Sequence, residues 1–183
     1  MMDHSDLHLI HGGHKGAEAE FGRTAVKWDI AETTISFPGH RMDFAKNVEE
    51  LTDEALEKGH VSMEFVFHRM GRRFAKGQGH RRVIYSMFHI VTRSDVLFAV
   101  GWIHDDGTVE GGTGWGVELA KVFNKTVHVF DQEREAWFTW DGTTWGPADP
   151  RLPARGTFSG TGTRNLSVAG REAIEALFER SLG

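Results

Sequence analysis

Short apolar runs alternate along the chain with stretches of helical periodicity. This alternation is typical of α/β proteins, in which crossover helices join the strands of a parallel sheet. The run from Val96 to Val100 is almost uninterrupted, which favours a central strand buried on both faces. Strands are predicted over residues 7–10, 33–37, 96–100, 126–130, 136–140 and 157–159. Helices are predicted over residues 18–28, 48–58, 61–73, 82–92, from about 111 to 123, and over 167–182.

Polar and glycine-containing segments separate these elements. Residues 40–47 are predicted as a loop, residues 76–80 as a flexible break, and Asp105-Asp106-Gly107 as a turn. Residues 146–155 carry three of the four prolines and are predicted as an irregular connector. No internal repeat or domain boundary interrupts the pattern. The sequence therefore predicts one domain over residues 1–183, with a Rossmann-like three-layer α/β fold: a mostly parallel central sheet with helices on both faces.

Glycine usage gives the first indication of function. The chain has 183 residues, with 22 glycines against 4 prolines. The glycines cluster in three segments, each placed where a predicted strand ends and a predicted helix begins: residues 11–16, 111–116 and 160–164, called here the first, second and third glycine segments. Ligands of open α/β sheets bind beyond the carboxyl ends of the strands, and helix N-termini attract anions. Glycine lets the backbone approach such a ligand. The segments therefore predict a site for a nucleotide or a nucleotide-derived small molecule.

Each segment also has a plain structural interpretation. The first could be a simple tight turn; in the functional interpretation Lys15 contacts a phosphate. The second is the most specific, and its Trp115 either stacks on a base or sugar or packs inward. In the third, Arg164 binds phosphate or carboxylate, or is simply solvated. The candidate ligand-binding residues are Gly12, Gly13, Lys15, Gly16, Gly111, Gly112, Thr113, Gly114, Trp115, Gly116, Gly160, Thr161, Gly162, Thr163 and Arg164.

The charge distribution limits the classes of partner that the protein is expected to bind. The formal net charge is −5, which disfavours nucleic-acid binding over the whole surface. Residues 65–94 nevertheless contain no acidic residue, so this basic segment is either a solvated face or an anion-attracting rim beside the ligand site. Its basic residues are Arg69, Arg72, Arg73, Lys76, Arg81, Arg82 and Arg93.

Several classes of protein and site are disfavoured. The absence of cysteine excludes disulfides, thiolate nucleophiles and cysteine-type zinc sites. The first residues lack a signal-peptide pattern, and no apolar stretch approaches the length of a membrane helix. We therefore expect a cytoplasmic protein that does not contact membranes. A metal site on the crowded N-terminal histidines is disfavoured because no H-E-x-x-H motif is present, so no metal and no required cofactor are predicted. These histidines are His4, His8, His11 and His14.

The glycine segments resemble motifs of the SLOG superfamily, which includes Lonely Guy phosphoribohydrolases, DNA-processing protein A, and YpsA-like and molybdenum-cofactor-carrier proteins. The second segment resembles the G-G-x-G-T-x-x-E signature over Gly111 to Glu118, with Trp115 in place of the threonine. The first resembles S-G-G-x-x-G-A-D, with His11 for serine and Glu18 for aspartate. The third resembles the G-x-x-R element of YpsA-like and YspA-like members. That element comes first in most relatives and last here, which is typical of a circularly permuted YpsA-like branch.

The resemblance implies a Rossmann-like sheet, a nucleotide-like ligand at the glycine segments and, often, a homodimer. In Lonely Guy enzymes the motif glutamate works with an arginine, from a helix before the central strand, to cleave an N-glycosidic bond. Glu118 matches the glutamate and is the candidate catalytic residue. The helix before Val96 lacks the M-x-x-R-K pattern, which leaves Arg81, Arg82 or Arg93 as candidate partners.

Three functional hypotheses follow. The first is a nucleotide sensor or carrier that uses the glycine segments without chemistry. The second is an N-glycosidic hydrolase or transferase that acts on a nucleoside monophosphate. The third is nucleic-acid binding through the basic segment, by analogy with DNA-processing protein A. The incomplete catalytic set favours the first.

Overall fold

The computed structural model of the chain describes residues 6–73 and 77–183. Its strands are β1 (Leu7–His11), β2 (Ala31–Ser36), β3 (Val48–Glu50), β4 (Val96–Gly101), β5 (Thr126–Asp131), β6 (Ala136–Trp140), β7 (Trp145–Ala148) and β8 (Gly156–Gly162). Its helices are α1 (Ala17–Lys27), α2 (Asp53–Glu57), α3 (His60–Arg69), α4 (Gln78–Thr92), α5 (Gly111–Val122) and α6 (Val168–Leu182). None of these helices combines the length and apolar character needed to cross a membrane.

The strands form one sheet in the order β3-β2-β1-β8-β4-β5-β6-β7. Neighbours from β3 to β5 pair in parallel, and β5–β6 and β6–β7 pair antiparallel. This confirms the predicted α/β class with a mostly parallel sheet. Strand β8, which comes last in the chain, lies in the middle of the sheet between β1 and β4.

Helices cover both faces of the sheet, as predicted. One layer contains α3, α4 and α5 and packs on the sheet through buried residues such as Met63. The other contains α1 and α6 and packs through residues such as Phe21. In β4, Leu97 belongs to the first layer and Phe98 to the second. A strand covered on both faces buries successive side chains, which accounts for the continuous apolar run there.

The helix predicted over residues 48–58 is wrong in its first half. Val48 pairs in parallel with Thr34 of β2, so β3 is an exposed strand at the edge of the sheet. Helix α2 begins only after Thr52, whose hydroxyl oxygen accepts a hydrogen bond from the Ala55 amide at 3.1 Å. The non-local ladder with β2 and the N-cap at Thr52 together displace the start of the helix.

The third glycine segment, predicted as a loop, is mostly strand. Gly160, Thr161 and Gly162 are the last residues of β8, and Gly160 lies opposite Phe98 of β4. A Cβ at Gly160 would lie 2.4 Å from Cγ of Phe21 on α1. Glycine in a strand often marks a close approach of this kind. At Gly160 the missing side chain therefore serves helix–sheet packing.

The far edge of the sheet is a hairpin formed by β6 and β7. Trp140 pairs with Trp145 across the predicted turn at Asp141-Gly142. The connector predicted as irregular over residues 146–155 therefore begins as part of β7. Pro147 lies in this strand, where its lack of an N–H is tolerated because β7 is an edge strand.

We expect Gly160→Ala to destabilise the protein by roughly 1–3 kcal/mol, because the new methyl group overpacks the contact with the fully buried Phe21. Urea unfolding followed by circular dichroism measures this loss. Gly146→Ala in β7 is the control, since a Cβ there meets nothing within 4 Å. Equal unfolding midpoints for the two variants would contradict the packing role of Gly160.

Candidate functional site

Parts of all three glycine segments meet at the carboxyl ends of β1, β8 and β4. A cavity of about 310 Å³ opens there, where α1 and α5 leave towards opposite faces of the sheet. Open α/β sheets bind their ligands in crevices at this position. The cavity is lined by His14, Lys15, Glu18, His80, Val83, Met87, Trp102, Glu110, Gly111, Gly112, Thr113, Trp115, Gly162, Thr163, Arg164 and Asn165.

The first glycine segment follows β1 and brings His14 and Lys15 to the cavity. Gly16 has a φ of 97°, and a Cβ there would lie 2.3 Å from the carbonyl oxygen of Thr163. Both facts require glycine at this position. The close approach lets the Ala17 amide donate a hydrogen bond to that oxygen at 3.0 Å. The segment is thereby tied to the residues that follow β8.

The second glycine segment forms the first turns of α5. The N-cap residue, Glu110, makes no side-chain capping bond, and the first amides of a helix have no acceptor within the helix. Gly111, Gly112 and Thr113 line the cavity at this helix start. Arg72 supports the turn from outside by donating to the carbonyl oxygen of Gly111 at 2.9 Å. The start of α5 therefore offers N–H groups and the positive end of its dipole to an anion.

The third glycine segment contributes Gly162, Thr163 and Arg164 to the cavity. Thr161 instead donates its hydroxyl to Glu18 Oε1 at 2.9 Å. No glycine of the segment stands three residues before Arg164, so the chain departs from the G-x-x-R spacing. The predicted ligand-binding residues that do not line the cavity are Gly12, Gly13, Gly16, Gly114, Gly116, Gly160 and Thr161.

Trp115 packs inward, one of the two arrangements that the sequence left open, and it also reaches the cavity. Its ring packs against Phe67 at a centroid distance of 5.0 Å and against His80 at 5.2 Å, and it also lines the cavity. Its buried indole nitrogen has no hydrogen-bond partner within residues 6–73 and 77–183. Trp102, which the sequence analysis did not single out, is a second aromatic wall of the cavity.

Unpaired cations lie at the same place. Lys15 and Arg164 are exposed and line the cavity, and neither makes an ion pair within the described part of the chain. A second cavity of about 350 Å³ shares His14, Lys15, Val83 and Arg164 with the first and adds Arg41. The two cavities therefore form one groove with a positively charged middle.

A buried carboxylate organises this groove. Glu18 Oε2 accepts hydrogen bonds from the His14 amide at 3.2 Å and from His14 Nδ1 at 2.9 Å. Its other oxygen accepts the Thr161 hydroxyl. On the far side of the His14 ring, Nε2 lies 2.9 Å from Nε2 of His40. Glu18, His14 and His40 thus form a hydrogen-bonded chain from the interior to the groove.

The surroundings move the pKa values of these three groups apart. Burial would raise the pKa of Glu18, but hydrogen bonds from His14 and Thr161 and the His14 charge outweigh it and lower it to about 2. Burial would lower the pKa of His14, yet its bond and attraction to Glu18 raise it overall. Burial and the His14 charge lower the pKa of His40 to about 4. Near pH 6.5 the pair is therefore a cationic His14 beside a neutral His40.

Glu118, the candidate catalytic residue, is buried outside the residues that line the cavity. Its Oε1 accepts a hydrogen bond from Arg69 Nε at 2.7 Å, and its Oε2 lies 3.4 Å from Lys121 Nζ. The arginine partner therefore comes from α3 and is none of the three candidates from the sequence. Lys121 also lies 3.8 Å from the ring centroid of Trp140. These contacts connect α5 to α3 and to the β6–β7 hairpin.

Most of the described arginines in the basic segment form hydrogen bonds or ion pairs within the protein. Arg82 pairs with Asp53 at 2.9 Å, and Arg93 makes a two-pronged pair with Glu49 at 2.8 and 2.9 Å. Arg72 and Arg69 are bonded as described above, whereas Lys76 lies outside the described residues. The segment therefore acts in large part as structural support for α5, β3 and α2.

The N-terminal histidines that the structure describes bind neighbouring side chains. His8 Nε2 lies 2.8 Å from the Thr33 hydroxyl, and His11 Nε2 lies 2.9 Å from Glu32. His4 falls outside the described residues. Across residues 6–73 and 77–183, no three histidine or acidic side chains are placed to hold a metal ion.

Comparisons with known proteins agree with the architecture. No family model and no curated protein matches the chain. A solved structure titled "Putative molybdenum carrier protein", from Syntrophus aciditrophicus SB, is similar with a TM-score of 0.55 and 14% sequence identity. The similarity covers 96% of this chain and 94% of that one. At this identity it shows the fold alone. The fold is Rossmann-like.

We expect Glu18→Gln to lower the pKa of His14, because burial, which lowers it, is then unopposed. NMR titration of the imidazole resonances measures this shift. The variant also loses stability, most between pH 4.5 and 6.5, where the parent holds both charges. The difference shrinks as the pH falls towards 2, where Glu18 of the parent becomes protonated, and as it rises through the raised pKa of His14. Glu175→Gln on the exposed side of α6 is the control. A His14 pKa that is the same in both variants would overturn the assigned role of Glu18.

Proposed function

We propose that this protein binds a nucleotide or a nucleotide-derived small molecule in the groove between α1 and α5, as a sensor or carrier. The observation that carries the proposal is the convergence of all three glycine segments on one cavity. Its volume of about 310 Å³ lies within the usual range of small-molecule sites. The aromatic and cationic groups that line it match the two chemical halves of a nucleotide.

The cationic part of the groove supports binding of the phosphate. Lys15 and Arg164 are free of internal ion pairs within the described residues, and the amides at the start of α5 lack helical acceptors. Charge-assisted hydrogen bonds from such groups are about twice as strong as neutral ones. Trp102 and Trp115 supply apolar faces in the same cavity, and aromatic faces suit stacking with a base.

The motif resemblance and the chain topology add support. The element that comes first in most relatives comes last here, and its strand β8 lies between β1 and β4, in the central position that the first strand of a doubly wound fold occupies. The name of the similar solved structure, a molybdenum carrier protein, is in keeping with a carrier of a small molecule. A homodimer, which the resemblance implies, stays a prediction that sedimentation would test.

N-glycosidic cleavage of a nucleoside monophosphate is the second candidate function. It requires Glu118 to act on the ribose. The observation in its favour is that Glu118 pairs with an arginine, although this arginine, Arg69, comes from α3 and not from the helix before the central strand. Against it, Glu118 does not line the cavity. Nucleic-acid binding has weaker support, since Arg72, Arg82 and Arg93 are engaged within the protein.

Nucleotide binding is tested by a thermal-shift screen of nucleoside monophosphates, dinucleotides and ADP-ribose derivatives, because a ligand of the folded state raises the melting temperature. We expect stabilisation by at least one class. Replacing both Lys15 and Arg164 with alanine should weaken its binding about tenfold or more, because each forms a charge-assisted contact. The control replaces the exposed Lys27 and Arg155, which do not line the groove. A screen without any stabilising ligand would refute the proposal.

The two leading functions are separated by Glu118→Gln. We expect this variant to keep the ligand affinity of the parent within about twofold, since the side chain lies outside the cavity. We also expect it to melt at a lower temperature, because Arg69 and Lys121 lose a charged partner. Calorimetry and chromatography of nucleoside monophosphates measure affinity and turnover. Release of free base by the parent, abolished in the variant, would establish the hydrolase instead.

A further inference from the structure

The contact between His14 and His40 lies where the two cavities of the groove meet. Glu18 holds the Nδ1 edge of the His14 ring through its carboxylate. The Nε2 edge meets only a neighbouring imidazole, with Nε2 of His40 at 2.9 Å. Both cavities are lined by His14, and the second is also lined by His40. His40 therefore covers the Nε2 edge of His14, which would otherwise face the groove.

The charge on His14 decides where the protons of the pair lie. Glu18 accepts from His14 Nδ1 and stabilises the charged imidazole. In that charged form the second N–H of His14 donates to His40 Nε2, whereas a neutral His14 would accept there. His40, as a neutral acceptor, then carries its own proton on Nδ1. That nitrogen is buried and has no partner within the described residues. A buried N–H without an acceptor is unfavourable. In this position His40 accepts the hydrogen bond of His14, but its own Nδ1–H has no acceptor.

His40 belongs to the segment between β2 and β3, which has no regular secondary structure from residue 37 to 47. Its ring stacks on Phe37 at a centroid distance of 4.3 Å. The segment is tied to the first glycine segment by bonds from the Asp43 and Phe44 amides to the Gly13 carbonyl oxygen. These bonds lie beyond His40 in sequence, so the ring can turn away while the segment stays attached.

We infer that His14 Nε2 is an oxyanion subsite of the groove and that His40 is a cap, which a phosphate group of the ligand displaces. This inference rests on the proposed function and names the contact that receives the phosphate. A phosphate oxygen is a stronger acceptor for the His14 N–H than a neutral imidazole. Its exchange with His40 also frees the unpaired Nδ1–H of His40 to reach water.

The charges around His14 favour a dianion. Glu18 on α1 neutralises the ring from behind, whereas Lys15, Arg164 and Arg41 line the groove in front. The remaining titratable groups at the cavity are His80 from α4 and Glu110 before α5. Among the anionic groups of a nucleotide, a terminal phosphate carries the most charge, so it benefits most from this arrangement.

The test is calorimetric titration of the parent, His14→Gln, His40→Ala and the control His104→Ala. Three probes are used with each: inorganic phosphate, the nucleoside monophosphate selected in the screen, and the same nucleoside without phosphate. We expect His14→Gln to lower the affinity for both phosphate-bearing probes about tenfold or more and to leave the affinity for the nucleoside unchanged. We expect His40→Ala to bind them a few-fold more tightly. Weakening of the monophosphate alone would assign the subsite to an esterified phosphate.

Imidazole NMR provides a readout that does not depend on the variants. Addition of phosphate to the parent should shift the His40 resonances to those of a solvent-exposed ring, while His14 keeps its bond to Glu18. Equal phosphate affinity of His14→Gln and the parent would overturn the subsite. Loss of phosphate binding on addition of EDTA would also overturn it, because a metal ion and not the His14 N–H would then hold the phosphate. Weakened binding in His40→Ala would overturn the cap. If the parent binds no nucleotide at all, the proposed function itself fails; if it binds one and the variants match it, only this inference fails.

Discussion

The carboxylate of Glu18 holds the groove together. A buried charge is tolerated only where several donors surround it, and this one draws its donors from two segments far apart in the chain: His14 after β1 and Thr161 near the end of β8. Satisfying Glu18 therefore fixes the distance between the first and third glycine segments. It also fixes the orientation of the His14 ring, so one interaction sets both the shape and the charge of the groove.

The second side of the groove depends on a different kind of support. The first turn of α5 carries no capping side chain at Glu110, and its carbonyl at Gly111 is held by Arg72 from the α3–α4 region. The carbonyl side of the turn is thus anchored while the amide side stays free. Backbone dipoles at such a helix start supply a positive field in the groove without any charged residue of α5.

The sequence pattern predicts correctly those elements whose structure depends on their own residues and their burial. The apolar run at Val96–Val100 identified the central strand because burial on both faces leaves no polar position. The edge strand β3 was missed, since its three exposed residues form a strand only through the ladder with β2. The strand position of Gly160 depends on Phe21 in the same way. In the groove, Lys15 and Arg164 were foreseeable from neighbouring glycines, whereas the roles of His40 and Arg69 depend on partners that no nearby motif marks.

The central position of β8 also constrains how the chain folds. Strands β1 to β3 form one ladder and β4 to β7 another, and the two are joined when β8 pairs with β1 on one side and β4 on the other. Until residues 156–162 have been synthesised, each half presents an open parallel edge, which is the kind of surface that pairs with other chains. A nascent or truncated chain that ends before β8 would thus expose two parallel strand edges at once, one on β1 and one on β4.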